Sequence, residues 1–273
     1  MTFFRVDLEC AGGQADLVSA SLLDFAPQGV IEQDAGDCRR MSVYFEDRES
    51  ARGFAALFPD QVTALVEGHA ADWNRTVLPD WKPLSVGDRL FLVPPWTSEP
   101  APPGRLRIPM PPGNAYGTGM HAPTQIMLRA LERHLQPGDR VLDLGTGAGL
   151  LSVAALALGA GRVAACDIDG EAVRAAREYA AGALVFEGSV DSVRSGSMDV
   201  VAANIDAAAI AGLAREIRRV LRAGGRALLG GFTPAEAEVL LPSLGGAGFT
   251  VTGQLGQEEW AGLVAVAKEG CGE

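Results

Sequence analysis

The chain has 273 residues, 48% of them hydrophobic, and a formal net charge of −11, enough material for one large domain or two smaller ones. So acidic a surface repels nucleic-acid phosphates, which argues against direct nucleic-acid binding and suits a basic protein or a cationic amine as partner. No apolar run reaches membrane-span length, and Met1-Thr2-Phe3-Phe4-Arg5 is not a signal-peptide start, so a cytoplasmic chain away from the membrane is expected. Cys10, Cys38, Cys166 and Cys271 form no C-x-x-C pair, and His69, His121 and His134 lie far apart. Free thiols and no metal site follow.

The first zone, residues 1–67, reads as β-α-β-β-α-β. Phe3 to Leu8 alternates as a strand, and Asp16 to Phe25 has helical spacing through Leu17, Ala20, Leu23 and Ala26. Gly29-Val30-Ile31 and Met41 to Phe45 are strands separated by the polar turn Asp34 to Asp37. Ser50 to Phe58 is a helix stopped by Pro59, and Val62 to Val66 is the last strand. That order predicts a ferredoxin-like α+β domain.

Half of the 16 prolines fall between Pro94 and Pro112, so residues 68–112 read as an extended connector. The third zone, residues 113–273, alternates strands and helices. Val141 to Leu144 is a buried strand and Leu150 to Leu158 a helix; Val163 to Asp167 is the next strand, followed by a helix over Glu171 to Ala181. Strands at Leu184 to Glu187, Met198 to Ala203 and Arg226 to Leu229 follow, with helices at Ala207 to Leu221 and Pro234 to Leu244. Phe249 to Gly253 and Leu263 to Ala267 form a terminal β-ribbon. This α/β pattern predicts a parallel sheet covered on both faces. The basic run from Arg215 to Arg222 has helical spacing and reads as a solvated face.

The chemistry concentrates after the first strand of this zone. Asp143, Gly145, Gly147 and Gly149 spell D-x-G-x-G-x-G, a strand running through a glycine turn into a helix, where backbone can approach a ligand closely. A dinucleotide fingerprint needs glycine at position 150, where Leu150 stands, so a dehydrogenase is disfavoured. Asp167 ends the second strand about twenty residues later, where a carboxylate accepts both ribose hydroxyls. The pattern resembles the first motif of the class I methyltransferases, which use S-adenosylmethionine, and implies their Rossmann-like sheet.

Further segments narrow the resemblance. Gly113-Asn114-Ala115-Tyr116-Gly117-Thr118-Gly119 precedes a helix over Gln125 to His134, with Thr124 placed to cap it. Asp72-Trp73, Trp81-Lys82-Pro83-Leu84, Gly87-Asp88-Arg89-Leu90, Pro94-Pro95-Trp96, Ala203-Asn204-Ile205 and Glu258-Glu259-Trp260 follow in order. Together they are similar to the ribosomal protein L11 methyltransferase (PrmA) family. The resemblance spans roughly residues 70 to 268, and the first 67 residues share only the layout of that family's substrate-recognition domain. It implies that Thr124, Gly145, Gly147, Asp167 and Asn204 contact S-adenosylmethionine, with Ser189 at the adenine edge. It also implies that Asn204 lies beside the transferred methyl as the candidate catalytic residue. Three departures concern the acceptor side: Pro111 stands where the family carries an acid, Ala122-Pro123 leads into Thr124, and Asp206 follows Asn-Ile in place of an apolar residue.

The implied activity is N-methylation of lysine or N-terminal amines on a large-subunit ribosomal protein. A free lysine has a pKa of about 10.4 and must be neutral to attack, and Asn204 Oδ1, nearby carbonyls and Asp206 are the candidate acceptors for its hydrogens. The alternatives are the same chemistry on another protein or a small molecule, and a non-catalytic module that binds the cofactor.

Overall fold

A computed structural model describes residues 2–11, 29–35, 38–69, 82–95, 97–111 and 119–268, with isolated positions between 14 and 25. The chain divides into two compact units, Met1–Trp81 and Lys82–Glu273.

The first unit is a four-stranded antiparallel sheet of β1 (Thr2–Ala11), β2 (Gly29–Ala35), β3 (Cys38–Phe45) and β4 (Val62–His69), in the order β2-β3-β1-β4. That is the order of the expected split arrangement. Period-two alternation sends Phe4, Val6, Leu8 and Cys10 of β1 to one face, opposite Phe45, Val43 and Met41 of β3. Phe54 and Phe58 close this core from α1 (Arg48–Leu57) and its C-terminal cap. Asp47 caps α1 by accepting from the Ser50 N–H at 2.8 Å. The expected helix at Asp16 to Phe25 lies almost wholly outside the described residues.

In the second unit the expected connector proves more ordered than its prolines suggest. Residues 84–109 carry three short strands, β5 (Leu84–Val86), β6 (Leu90–Val93) and β7 (Leu106–Pro109), with β5–β6 antiparallel and β6–β7 parallel. Pro94, Pro95, Pro100, Pro102 and Pro103 sit between β6 and β7, and Pro109 is the last residue of β7, so none occupies a strand interior. The turn Gly87-Asp88-Arg89 wraps a carboxylate: Glu132 accepts from the N–H groups of Asp88 at 2.8 Å and Arg89 at 3.2 Å. Gly87 has φ +59, and a Cβ there would meet Glu132 Oε2 at 2.2 Å. The Gly-Asp-Arg segment is thus an anchor onto the helix bearing Glu132.

The main sheet has seven strands in the order β10-β9-β8-β11-β12-β14-β13. β8 (Arg140–Leu144), β9 (Arg162–Asp167), β10 (Leu184–Glu187), β11 (Met198–Asn204) and β12 (Leu221–Phe232) are parallel; β14 (Trp260–Ala267) runs antiparallel to β12 and β13 (Phe249–Gln257). The chain winds outward from β8 to β10 and then crosses to β11, so the order reverses between β8 and β11, where open α/β sheets place ligands. Around the sheet lie α2 (Ala122–His134), α3 (Leu150–Ala157), α4 (Gly170–Tyr179), α5 (Ala207–Val220) and α6 (Pro234–Gly246). Ile210, Ile217, Leu240 and Leu244 of α5 and α6 pack on Val201, Leu229, Phe249 and Leu263 of the strands. No helix among the described residues is long and apolar enough to cross a membrane.

The basic run from Arg215 to Arg222 is only partly the solvated face its spacing suggests: Arg215 and Arg222 are exposed, whereas Arg218 and Arg219 are half-buried. Arg219 donates to the carbonyls of Val193 at 2.8 Å and Val190 at 3.2 Å and pairs with Glu216, Arg218 donates to the Lys268 carbonyl, and Arg222 pairs with Asp199. Long guanidinium side chains reach back over the strand ends, which residue spacing along a helix cannot reveal.

Candidate active site

Each end of the glycine turn is held in place by its neighbours. Gly145, Gly147 and Gly149 have φ of +71, +53 and +91, the left-handed region that side chains disfavour. The Gly145 and Thr146 N–H groups donate to the Cys166 carbonyl at 2.9 and 3.0 Å, tying the turn to β9. A Cβ on Gly145 would lie 2.4 Å from Ile205 Cγ2. Gly149 caps α3 without a side chain, so the N-cap residue itself covers none of the first-turn N–H groups of that helix.

Behind the turn, Asp143 is buried, and its Oδ2 accepts from Thr146 Oγ1 and Ser152 Oγ, both at 2.7 Å. Burial pushes its pKa up. The Asp143 carboxyl therefore clamps the turn to α3 from the protein side. Burial likewise pushes the neighbouring Cys166 thiol up to about 12, which leaves it an inert core side chain.

Asp167 finishes β9 facing the cleft. Its Oδ2 accepts from the Gly147 N–H at 2.9 Å and its Oδ1 from the Asp169 N–H at 3.1 Å. Each oxygen keeps a second lone pair for a ligand hydroxyl. Ile168 beside it is 82% exposed on the rim, the position where an apolar ring face would be covered. One strand further out, Gly188 donates to the Asp167 carbonyl at 2.8 Å, and Ser189, whose side chain caps nothing, lines the same cleft.

Asn204 ends β11 at the switch point. Its Nδ2 donates to Thr124 Oγ1 at 3.5 Å, and its buried Oδ1 has no partner among the described residues. A Cβ on Gly230, its register partner on β12, would come within 3.6 Å of that oxygen. The next helix is capped by Asp206, which accepts from the Ala209 N–H at 2.8 Å, so Asn204 is not the cap of α5. Asp206 faces the cleft with a carboxylate already engaged there.

Thr124 departs from the expected position. α2 begins at Ala122 with His121 as its cap, and Thr124 is a buried residue of the first turn. Pro123 explains the shift: its fixed φ and missing N–H suit the first turn, so the helix starts ahead of the threonine. The hydroxyl is thereby free to orient Asn204 and does not cap its own helix.

These residues line one cleft of about 880 Å³, which holds Thr124, Gly145, Gly147, Asp167, Ser189 and Asn204 together. Its volume suits a cofactor of several hundred daltons with room beside it. Met120, His121, Ile168 and Gly231 also line it, and the sequence reading missed them. Gly231 could have been found from the Gly230-Gly231 pair that directly follows the apolar run Ala227 to Leu229, although the structure continues β12 through it to Phe232. A Cβ on Gly231 would sit 2.6 Å from the Ile205 carbonyl. Glu258, Glu259 and Trp260, noted only as a family match, form part of the wall. The segment 112–118 lies outside the described residues.

The sequence profile of the ribosomal protein L11 methyltransferase (PrmA) family matches residues 57–268. The ribosomal protein L11 methyltransferase of Symbiobacterium thermophilum is 36% identical over 241 residues, covering 85% of this chain and 78% of that one. Its counterpart from Gloeobacter violaceus is 42% identical over 200 residues, 71% of this chain and 62% of the relative. The crystal structure of a ribosomal protein L11 methylase from Lactobacillus delbrueckii subsp. bulgaricus aligns with TM-score 0.64 at 28% identity, over 68% of this chain and 99% of that one.

Proposed function

The chain belongs to the ribosomal protein L11 methyltransferase (PrmA) family, an S-adenosylmethionine-dependent methyltransferase, and on that premise we propose that it methylates lysine or N-terminal amines of a large-subunit ribosomal protein. The observation that carries the acceptor chemistry is Asn204 Oδ1, buried, unpartnered and set at the switch point of the sheet. A buried acceptor without a donor costs free energy that a ligand N–H restores.

The glycine cradle and the open lone pairs of Asp167 fit the cofactor, which when bound supplies an electrophilic methyl on a sulfonium. Asp167 would take the ribose hydroxyls, the backbone at Gly145 and Gly147 the amino-acid portion, and Ser189 the adenine edge. Thr124 Oγ1 accepts from Asn204 Nδ2, and that bond fixes the amide so that Oδ1, buried beside the cleft, is left without a donor among the described residues. Oδ1 then accepts an N–H of the incoming amine and aims its lone pair, so that transfer depends on alignment more than on bond-making by the protein. Asp206, Glu258 and Glu259 on the wall favour arrival of a cationic side chain. The acidic body suits a basic ribosomal protein in the cytoplasm and not a nucleic acid or a membrane surface.

Incubating the enzyme with labelled S-adenosylmethionine and total ribosomal proteins tests this reading. A single labelled large-subunit protein, modified at amines, is the expected result; label on a small molecule or another protein class would overturn it. We also infer that residues 1–67 recognise the protein substrate. A chain starting at Lys82 should bind the cofactor in a calorimetric titration and lose activity on the protein, and full activity would defeat that division of labour.

A further inference from the structure

We propose that Gln257, held between Arg129 and Gln125, is a positioning residue that fixes the acceptor wall of the cleft. Arg129 Nη2 donates to Gln257 Oε1 at 2.5 Å, Gln257 Nε2 donates to Gln125 Oε1 at 3.1 Å, and Gln125 Nε2 donates to the Met120 carbonyl at 3.0 Å. Both ends of each amide are used, so neither can flip without losing a bond. Gln125 and Arg129 are one helical turn apart on the same face of α2. The chain of bonds therefore ties three pieces together: the helix, the segment that precedes it at Met120, and the end of β13.

What is tied down is the cleft wall itself. Gln257 pairs across the ribbon with Trp260, and the intervening turn is Glu258-Glu259. Glu258 has φ +55, the one non-glycine residue in the left-handed region among those described. That conformation is disfavoured for a residue with a side chain and persists where the surrounding structure holds it. The Gln257 amide, one residue before Glu258, makes two bonds to α2 that hold this end of the ribbon. Glu258, Glu259, Trp260 and Met120 all line the cleft, so one network reaches both of the segments that carry them.

Strand order assigns this wall to the acceptor. From β11, which carries Asn204, the ribose carboxylate on β9 lies two strands away in one direction, and Trp260 on β14 lies two strands away in the other. At roughly 4.8 Å per strand each is about 10 Å from the reacting centre. The cofactor occupies the Asp167 side, which leaves the Trp260 side for the amine. This inference rests on the proposed transfer to a protein amine.

The test uses the full-length enzyme with Gln257→Leu and Gln257→Glu. Gln257→Leu removes two hydrogen bonds and should lower kcat/KM for the ribosomal-protein acceptor roughly tenfold, while the calorimetric Kd for the cofactor stays within about twofold of the parent. Gln257→Glu keeps the bond from Arg129 and can accept from a reoriented Gln125, so it should recover to within about threefold of the parent. Amide hydrogen exchange across residues 255–262 should quicken in Gln257→Leu and stay slow in Gln257→Glu. Unchanged kcat/KM in Gln257→Leu, or an equal loss of cofactor affinity, would overturn the role. If the parent methylates no ribosomal protein, the acceptor reading falls separately, and the exchange rates still decide: faster exchange upholds the clamp, and unchanged exchange defeats it.

Discussion

The two ends of the seven-stranded sheet are built on opposite electrostatic plans. Where β8, β11 and β12 begin, charges are paired: Asp199 accepts from Arg140 at 2.8 Å and also pairs with Arg222, and Asp139 pairs with Arg226 at 2.9 Å. Where the strands finish, Asp167, Asp206, Glu258 and Glu259 line the cleft, and none takes part in an ion pair among the described residues. Asn204 Oδ1, at that same end, has no donor at all. One end spends its carboxylates on ion pairs that hold strands together, whereas at the other Asp167 and Asp206 accept only backbone N–H groups and meet no cation among the described residues. Polar groups left open at a water-accessible cleft weaken the fold but bind.

Substitutions at the two ends should therefore fail in different ways. The largest effect is expected for Asp167→Ala, which deletes the proposed ribose contact and releases the Gly147 and Asp169 N–H groups. Cofactor affinity should fall roughly ten- to a hundredfold, about 1.5 to 3 kcal/mol, by calorimetry. Unchanged affinity would place the ribose elsewhere.

Asn204→Ala sharpens the contrast, because the residue ends a buried strand without filling the core. Turnover should drop by up to about a hundredfold through lost alignment, while melting stays within a few degrees of the parent. A large melting shift with normal turnover would make Asn204 structural and erase the distinction.

At the other end, Asp199→Asn should leave cofactor affinity untouched and cost about 2 kcal/mol, lowering Tm by roughly 4 to 8 °C. Hydrogen bonds from the Arg140 guanidinium hold the Asp199 carboxyl well below the usual carboxylate range. A depressed native pKa adds stability that is complete above the unfolded value near 3.9 and is lost as pH falls below it. The parent should thus lose stability on acidification from about pH 5 to pH 2 more steeply than the Asn variant, measured by denaturant unfolding at each pH. Identical acid profiles would mean that the network contributes little.

Arg222→Ala is the mildest case, since its side chain is 44% exposed; a loss below about 1 kcal/mol is expected in the same unfolding assay. A loss matching that of Asp199→Asn would show that Arg222, and not Arg140, anchors the carboxylate.

The elements legible in the sequence were those whose periodicity is uninterrupted. Leu184 to Glu187 matches β10 to the residue, and the C-terminal ribbon and the D-x-G-x-G-x-G turn fall where alternation and glycine spacing place them. β5 to β7 escaped because strands of three or four residues inside a proline-rich stretch leave no period to detect. Thr124 was misplaced by two features that compete at a helix start, a preferred cap residue and a proline that begins the turn earlier. The fates of Arg219 and Gln257 were beyond reach in principle. What the tip of a long side chain meets depends on tertiary neighbours, and Gln257 finds Gln125 at a separation of 132 residues. The D-x-G-x-G-x-G turn and Asp167, being local in sequence, could be read; the bonds that tie Gln257 to α2, made between distant segments, could not.

The reversal at the edge of the main sheet also bears on how the enzyme comes into being. β14 follows β13 in sequence yet lies inside the sheet, between β12 and β13. During synthesis, β12 keeps a bare edge until residues 260–267 have emerged, and β13 has nothing to pair with before then. The nascent chain can assemble the glycine turn and Asp167 early, from neighbouring βα units. The turn between β13 and β14, which brings Glu258 and Glu259 to the cleft, is framed only when the closing strand has paired, so the last strand of the sheet also completes this part of the cleft wall.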